Sequence, residues 1–354
     1  MAFVVRKRRE PLPWWGSCLV FLGAVAVALA VGGALLSFQG KPAWRGMGIL
    51  LGSPVGSVWA LEDCVLKAIP LFLCALGVGL SFRMAVWNIG AEGQFALGAV
   101  GATGVALTWG ATLPAFVLLP LMAIAAMVAG GLWAMIAAAL RVWCGANETI
   151  VTLMLNYIGI LVLEFLVFGP WKDPASFGFP MTAEFAPAAL VPALPGTRIH
   201  WGVVLCLVVG VLLSWVLRAS RAGFEIAVCG QNPAAARYAR IPYAAWVAVV
   251  LVAGGALAGL AGFLEVSAAL GRLQPSIMTG YGYTAIVVAW LSGLRSGSVA
   301  VVALFLAALR VGLESLQLDL QVPAAFGTMV EGTMLLMVLV GGFWTRYQIV
   351  RRQA

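Results

Sequence analysis

In a chain that is 63% hydrophobic and only 10% charged, the side chains able to do chemistry are the polar ones embedded in apolar runs. Asn88, Glu92 and Gln94 fall within one such stretch, flanked by Gly90 and Gly93, where the backbone can loosen or break. A carboxylate between two amides inside a membrane is costly unless it faces protein or a watery path, which makes it a candidate for binding solute. The competing structural reading is that Glu92 caps a helix or pairs with a neighbour, since helix N-termini favour negative charge. Asn147 and Glu148 open another apolar run and invite the same two readings. Thr152 and Asn156 follow four residues apart, on one helical face, where they line a path or glue two helices together.

The remaining polar residues point away from covalent chemistry. Arg310 and Glu314, four apart, are expected to neutralise each other within their helix. Glu164 and Glu265 have no obvious partner in sequence, and either face a cavity or, for Glu265, lie near the outer interface. His200 is the only histidine, and beside Trp201 it reads as an interfacial anchor. With no serine or cysteine set around it, nucleophilic catalysis has little support. The six cysteines are scattered, without a CxxC pair or nearby histidines, so neither a metal site nor a disulfide framework is expected. The Gly40-Lys41 pair runs into Pro42 and lacks an upstream glycine, so it is no phosphate-binding loop and no ATP site is expected in this chain.

These residues must be positioned by membrane helices. Mean hydropathy is +1.03, and apolar runs of about 18 to 25 residues, enough to cross about 30 Å of hydrocarbon, recur from end to end. Ten spans are expected, near 17–37, 63–81, 88–109, 114–140, 148–169, 200–218, 243–267, 281–294, 298–316 and 325–344. The first is too long for a cleaved signal peptide, despite the basic residues before it. The fourth carries Pro120 and the pair Gly130, Gly131, which would permit a bend; the eighth is short. Gly255 and Gly259 form a GxxxG step suited to close helix packing.

Basic residues set the orientation. With a cytoplasmic N-terminus, fourteen fall inside: Arg6, Lys7, Arg8, Arg9, Arg83, Arg141, Arg218, Arg221, Arg237, Arg240, Arg295, Arg346, Arg351 and Arg352. Only Lys41, Arg45, Lys172, Arg198 and Arg272 fall outside. The formal charge of +8 then reflects orientation and implies no nucleic-acid partner. The expected fold is an all-α, polytopic membrane protein, one transmembrane domain over 1–354 with both termini cytoplasmic.

Two non-membrane segments stand out. Residues 170–199, outside, carry Pro170, Pro174, Pro180, Pro187, Pro192 and Pro195, and read as a plain connector or as a docking rim for an external partner. Residues 219–242, inside, read as a cytoplasmic helix pair: Asn232 is a plausible N-cap, Pro233 sits at the first helical position, and Ala234, Ala235, Ala236 and Arg237 continue the helix. From spacing alone this segment is either an interfacial anchor on anionic lipid or a docking element.

The stretch GQNPAAARYARI resembles the cytoplasmic coupling loop of ABC importer permeases for sugars, nucleosides and branched-chain amino acids. FRMAVWNIGAEGQFALGAVGA, residues 82–102, is similar to the NIGxEGQ signature of the nucleoside branch, and GANETIVTLMLNY, residues 145–157, resembles that branch closely. GYGYTAIVVAWLSGL, residues 280–294, is like the family's glycine-rich stretch ahead of a small-residue helix. The likeness runs from about residue 60 to 345, with Trp290 and Glu331 departing from the family pattern.

The resemblance implies a type II-like ABC importer permease in a bacterial inner membrane, without cofactor, working by alternating access. Its partners would be an ATPase subunit or duplicated ATPase, a second permease of the same or a paralogous chain, and an extracytoplasmic solute-binding protein. It implies that Gly230, Asn232, Pro233, Ala236, Arg237 and Tyr238 couple to the ATPase, and that Asn88, Glu92, Gln94, Asn147, Glu148, Thr152 and Asn156 belong to the solute path. Nucleosides are the expected cargo, with simple sugars or branched-chain amino acids as the alternative. An ion-driven secondary carrier, using Glu92, Glu148 or Glu265, is the competing mechanistic class. An intramembrane enzyme lacks a recognisable catalytic set.

Overall fold

Hydrocarbon offers no water to open backbone groups, so a chain this apolar satisfies them within helices. The structure, a computed structural model, describes residues 3–7 and 13–351; Arg8, Arg9 and Arg352 lie outside the described residues. In chain order the elements are β1 (Phe3–Lys7), α1 (Trp14–Phe38), α2 (Ala43–Gly52), α3 (Val58–Arg83), α4 (Ala91–Trp109), α5 (Ala115–Cys144), α6 (Glu148–Phe168) and α7 (Gly202–Ala219). They continue with α8 (Arg221–Gln231), α9 (Pro233–Tyr238), α10 (Tyr243–Leu264), α11 (Tyr281–Leu291), α12 (Ser296–Leu320), α13 (Ala324–Arg346) and β2 (Tyr347–Arg351).

A helix stands at each of the ten expected places. Eight of them, α1, α3, α5, α6, α7, α10, α12 and α13, are long and apolar enough to cross a membrane. α11 has only 11 residues, about 16 Å of rise, or half a bilayer. α4 is long enough at 19 residues but carries Glu92 and Gln94, and it is packed by α5, α6, α10 and α11. A helix shielded by protein can hold polar residues that a lipid-facing helix cannot.

The chain divides into two compact units. The larger covers Val65–Leu304, and the smaller combines Met1–Cys64 with Phe305–Ala354. Within the larger unit, α4, α5 and α10 pack through glycine. A Cβ at Gly98 would overlap the Gly259 backbone, and one at Gly255 would overlap the Gly130 carbonyl. Small residues here let backbones touch, as lipid supplies no hydrophobic drive between helices. The Gly130 and Gly131 pair thus serves packing, and α5 runs through it and through Pro120 as one helix.

Within the smaller unit, α1 packs against α2 and α13, and Arg310 on α12 meets Glu331 on α13 (Nε to Oε1, 3.0 Å). Arg310 therefore draws a counter-charge from across the helix pair as well as having Glu314 one turn along its own helix. Glu331, a departure from the family pattern, has this ion pair as its structural role. β1 and β2 form a two-stranded antiparallel ribbon, Phe3 opposite Arg351 and Lys7 opposite Tyr347, which the all-helical expectation lacked. FVV and YQIV are rich in aromatic and β-branched residues, which favour strands. The described cysteines, Cys64, Cys74, Cys144, Cys206 and Cys229, are free thiols, and only Cys144 is exposed.

Candidate functional site

Between α3 and α4 the backbone leaves helical geometry, with Ala85 at φ +55°, so several peptide groups lose their helical partners. Those groups are met by one stripe of α6. Glu148, Thr152 and Asn156 succeed one another at single-turn spacing, about 6 Å apart along the axis. Glu148 Oε1 accepts from Trp87 N (3.3 Å), Thr152 Oγ1 accepts from Ile89 N (3.2 Å), and Asn156 Oδ1 accepts from Gly93 N (2.8 Å). Asn156 Nδ2 also donates to Ile89 O (2.7 Å), and the second Glu148 oxygen pairs with Arg141. Each buried peptide group left unpaired would cost about 1–3 kcal/mol, so the stripe acts as a clamp on the unwound stretch.

The amides of the first motif close on each other. Asn88 Nδ2 donates to Gln94 Oε1 (3.1 Å), Gln94 Nε2 donates back to Asn88 Oδ1 (3.0 Å), and that oxygen also accepts from Gly90 N (3.0 Å). Asn147 is exposed and caps α6, accepting from Thr149 N (3.0 Å) and Ile150 N (3.4 Å).

Glu92 is 2% exposed, and it caps a helix distant in sequence. Oε1 accepts from Gly280 N (3.0 Å) and Oε2 from Gly282 N (2.6 Å), so its charge sits on the positive end of α11. Gly280, at φ +82°, is the N-cap of α11, and a Cβ at Gly282 would overlap the Glu92 backbone. The structural reading of Glu92 as a cap describes this geometry, with the capped helix being α11 and not its own.

Six of the seven residues assigned to the solute path, Asn88, Glu92, Gln94, Glu148, Thr152 and Asn156, thus form one buried polar cluster. The two motifs are halves of a single hydrogen-bonded unit. Residues that sequence reasoning passed over complete it: Arg141 and the peptide groups of Gly280 and Gly282. At the end of α3, Arg83 likewise donates from Nη2 to Leu294 O beyond α11. Their signal was faint, a basic residue at each of two helix ends and a glycine pair before a short helix. Beside the cluster, Phe82, Trp87 and Trp290 form an aromatic group, with Trp87 and Trp290 stacked at 5.5 Å and 22°. The unexpected bulk of Trp290 is therefore packed on a second indole.

Residues 219–242 form the expected helix pair. Asn232 Oδ1 caps α9, accepting from Ala234 N (3.0 Å) and Ala235 N (3.1 Å), with Pro233 at the first helical position. α9 ends with bonds from Ile241 N to Ala236 O (2.9 Å) and from Arg240 N to Arg237 O (3.0 Å), a Schellman cap in which Arg240 takes the left-handed conformation at φ +57°.

One side of the pair is rooted. Ile226, Cys229 and Ala236 share a buried cluster with Leu80, Met84, Val86 and Val247, and a Cβ at Gly230 would overlap the Arg83 carbonyl oxygen. The other side is open, with Asn232, Pro233, Arg237 and Tyr238 exposed, Tyr238 at 95%. Glu225 accepts from Arg221 Nε (2.6 Å) and Trp246 Nε1 (2.7 Å), which hold its carboxyl below the usual range. These three residues, with Arg240, Ile241 and Pro242, line a cavity of about 400 Å³.

Residues 170–199 are more than a loose connector. Thr182 N donates to Leu273 O and Leu273 N to Thr182 Oγ1, both at 3.0 Å, and Phe185 N donates to Gly271 O (2.9 Å). Ser267, in a π-helical turn over Glu265–Leu270, donates from Oγ to Ala189 O (2.5 Å), and Arg272 pairs with Glu184. His200 is 5% exposed, so it is no interfacial anchor. Its Nδ1 accepts from Gly202 N (3.1 Å) at the start of α7, and burial lowers its pKa to about 4, which keeps it neutral.

A multi-pass helical chain with a clamped, unwound turn in its interior and a rooted helix pair on one surface has the build of a transporter's membrane subunit. The chain belongs to the family described as branched-chain amino acid transport system / permease component, whose pattern matches residues 60–341, and it is an ABC importer permease of that family. It is 34% identical over 352 residues to the glucose ABC transporter permease protein TsgB13 of Haloferax volcanii, covering 96% of this chain and 92% of the relative. It is 28% identical over 326 residues to the guanosine ABC transporter permease protein NupP of Bacillus subtilis, covering 90% and 92%. With the nucleoside ABC transporter permease protein NupB of Lactococcus lactis it shares 27% over 318 residues, 85% of each chain.

Proposed function

We propose that this permease imports nucleosides, driven by ATP hydrolysis in a partner subunit. The observation that carries the reading is that NIGAEGQ and GANETIVTLMLNY, the two stretches resembling the nucleoside branch, build one hydrogen-bonded cluster through Thr152 and Asn156, so the likeness extends to residues that act together. The relatives named for guanosine and for nucleosides support it. Sugar import is the second reading, favoured by the 34% identity to a permease named for glucose.

The chain sits in the cytoplasmic membrane of a bacterium with ten membrane helices, of which α11 reaches about halfway, and with both ends inside; the β1–β2 ribbon, which keeps the ends together, supports both ends lying on one side. It works beside a second permease copy or paralogue and receives cargo from a solute-binding protein at the outer face. The exposed side of α8 and α9, with Asn232, Pro233, Arg237 and Tyr238, docks on the ATPase, while Gly230 and Ala236 seat the segment on the permease. Asn88, Glu92, Gln94, Asn147, Glu148, Thr152 and Asn156 serve the solute path from behind, by holding the helices that border it.

The test is uptake of radiolabelled guanosine and glucose into vesicles carrying the permease with its genomically adjacent ATPase and binding protein. ATP-dependent guanosine uptake is expected. Glucose uptake without guanosine uptake transfers the assignment to sugars, and uptake that follows an ion gradient without ATPase overturns the importer reading.

A further inference from the structure

We propose that residues 83–93 form a strap through which the coupling segment moves α11, with Glu92 and Arg83 as its two anchors. The inference rests on the importer reading above and adds the element displaced and the residues that displace it.

The strap begins under the coupling segment. Gly230 of α8 lies directly on the Arg83 carbonyl and the Met84 backbone, and Ile226 and Cys229 pack with Met84 and Val86. Backbone set against backbone leaves no flexible side chain to absorb a displacement. The strap ends on α11. Glu92 holds the first turn through Gly280 N (3.0 Å) and Gly282 N (2.6 Å), and the Arg83 guanidinium holds the far side through Leu294 O. Both ends of an 11-residue helix are thus gripped by one short segment.

α11 is also built to move as a body. Gly280 at φ +82° and Gly293 at φ +60° flank it, and neither glycine has a neighbour within 4 Å of where a Cβ would stand. These are hinge positions, able to absorb backbone rotation without collision. The strap itself carries Ala85 at φ +55°, and the far hinge carries Leu294 at φ +62°, conformations that only a well-determined surrounding holds in place. α6 keeps the strap in one piece by pairing Trp87, Ile89 and Gly93. A shift of the coupling segment therefore reaches α11 through the Glu92 cap, and the two positioning residues need no contact with solute.

Hydrogen exchange on the assembled transporter in lipid nanodiscs, with and without ATP and vanadate, reads the strap directly. In the parent, trapping is expected to change exchange at 219–242, at 83–93 and at 280–294 together. In Glu92→Gln, which keeps the shape but weakens the acceptor, the change at 219–242 should persist and that at 280–294 should vanish. Uptake per ATP hydrolysed should then fall about tenfold while ATP hydrolysis stays within about twofold, the loss of coupling between two sites. Glu92→Asp should restore part of the ratio.

Arg83→Met reads the other anchor and should also lower uptake per ATP. An unchanged 280–294 in the trapped parent, or a full response there in Glu92→Gln, overturns the proposal. So does a joint loss of assembly, hydrolysis and uptake in both variants, which would mark the anchors as purely structural. A parent that moves solute with no ATP at all overturns the importer reading instead, and is told apart because it is read in uptake and not in exchange.

Discussion

The cluster at the start of α4 and the helix pair of α8 and α9, proposed above as the coupling segment, are both rich in polar groups, and they use them in opposite ways. In the cluster, Asn88, Gln94, Thr152 and Asn156 are 0–2% exposed and spend their hydrogen bonds on each other and on the backbone. In the coupling segment, one side is buried through Ile226, Cys229 and Ala236, and the polar side is left open. Polar groups in low-dielectric surroundings must be paired, whereas those at a water-facing surface can wait for a partner. The difference separates a part that holds shape from a part left open at the surface.

That separation breaks most visibly at Asn156. Replacing it with leucine removes the acceptor for Gly93 N and the donor for Ile89 O at once, leaving two buried peptide groups unpaired. A loss of about 2 to 5 kcal/mol is expected, seen as a lower unfolding temperature in detergent. An unchanged temperature would show that water reaches the cluster and that the clamp is not sealed.

The same logic extends to His200, where it can be tested by pH. His200 has a pKa of about 4 in the folded protein against an ordinary value near 6.5, so the folded state resists a proton that the unfolded chain accepts. Stability is therefore full above about pH 6.5 and declines as pH falls toward 4, by at most about 3 kcal/mol from this one group. His200→Asn, which offers an oxygen acceptor to Gly202 N, should flatten that slope in unfolding measured from pH 7 to 4.5. A slope that survives the substitution assigns the acid sensitivity elsewhere.

The coupling segment should answer differently. Asn232→Ala removes the two bonds that cap α9 and should loosen this short helix by about 1 kcal/mol, visible as faster exchange at 233–238. The unfolding temperature should stay put, because the open side carries little of the fold, while ATPase capture weakens several-fold. A drop in unfolding temperature as large as that of Asn156→Leu would erase the distinction between the two regions.

How much of this could be read from the sequence follows the physics of each signal. Helix positions were legible because lipid demands apolar runs of a set length, and a helix stands at each of the ten expected places. The α9 cap was legible because Asn232-Pro233 acts within four residues. What stayed hidden depends on which faces meet. Spacing places Glu148, Thr152 and Asn156 on one side of α6 but does not say that side grips residues 87–93. Glu92 caps a helix through Gly280, 188 residues further on, and Arg310 meets Glu331 across a helix pair, so neither partner is visible in a local window. His200 looked interfacial because burial is set by the segment folded over it.

The smallest effect is the most specific. Arg240 occupies the left-handed position of the α9 cap, where glycine is the usual occupant and any side chain adds strain. Arg240→Gly should stabilise the segment by somewhat less than about 1 kcal/mol, slowing exchange of the Arg240 and Ile241 amides, which make the two closing bonds. If exchange slows and ATPase capture is unchanged, arginine there is only tolerated. If exchange slows and capture weakens, the Arg240 side chain, on the rim of the cavity shared with Arg221 and Trp246, belongs to the engaging surface, and the strain is kept for the charge it presents.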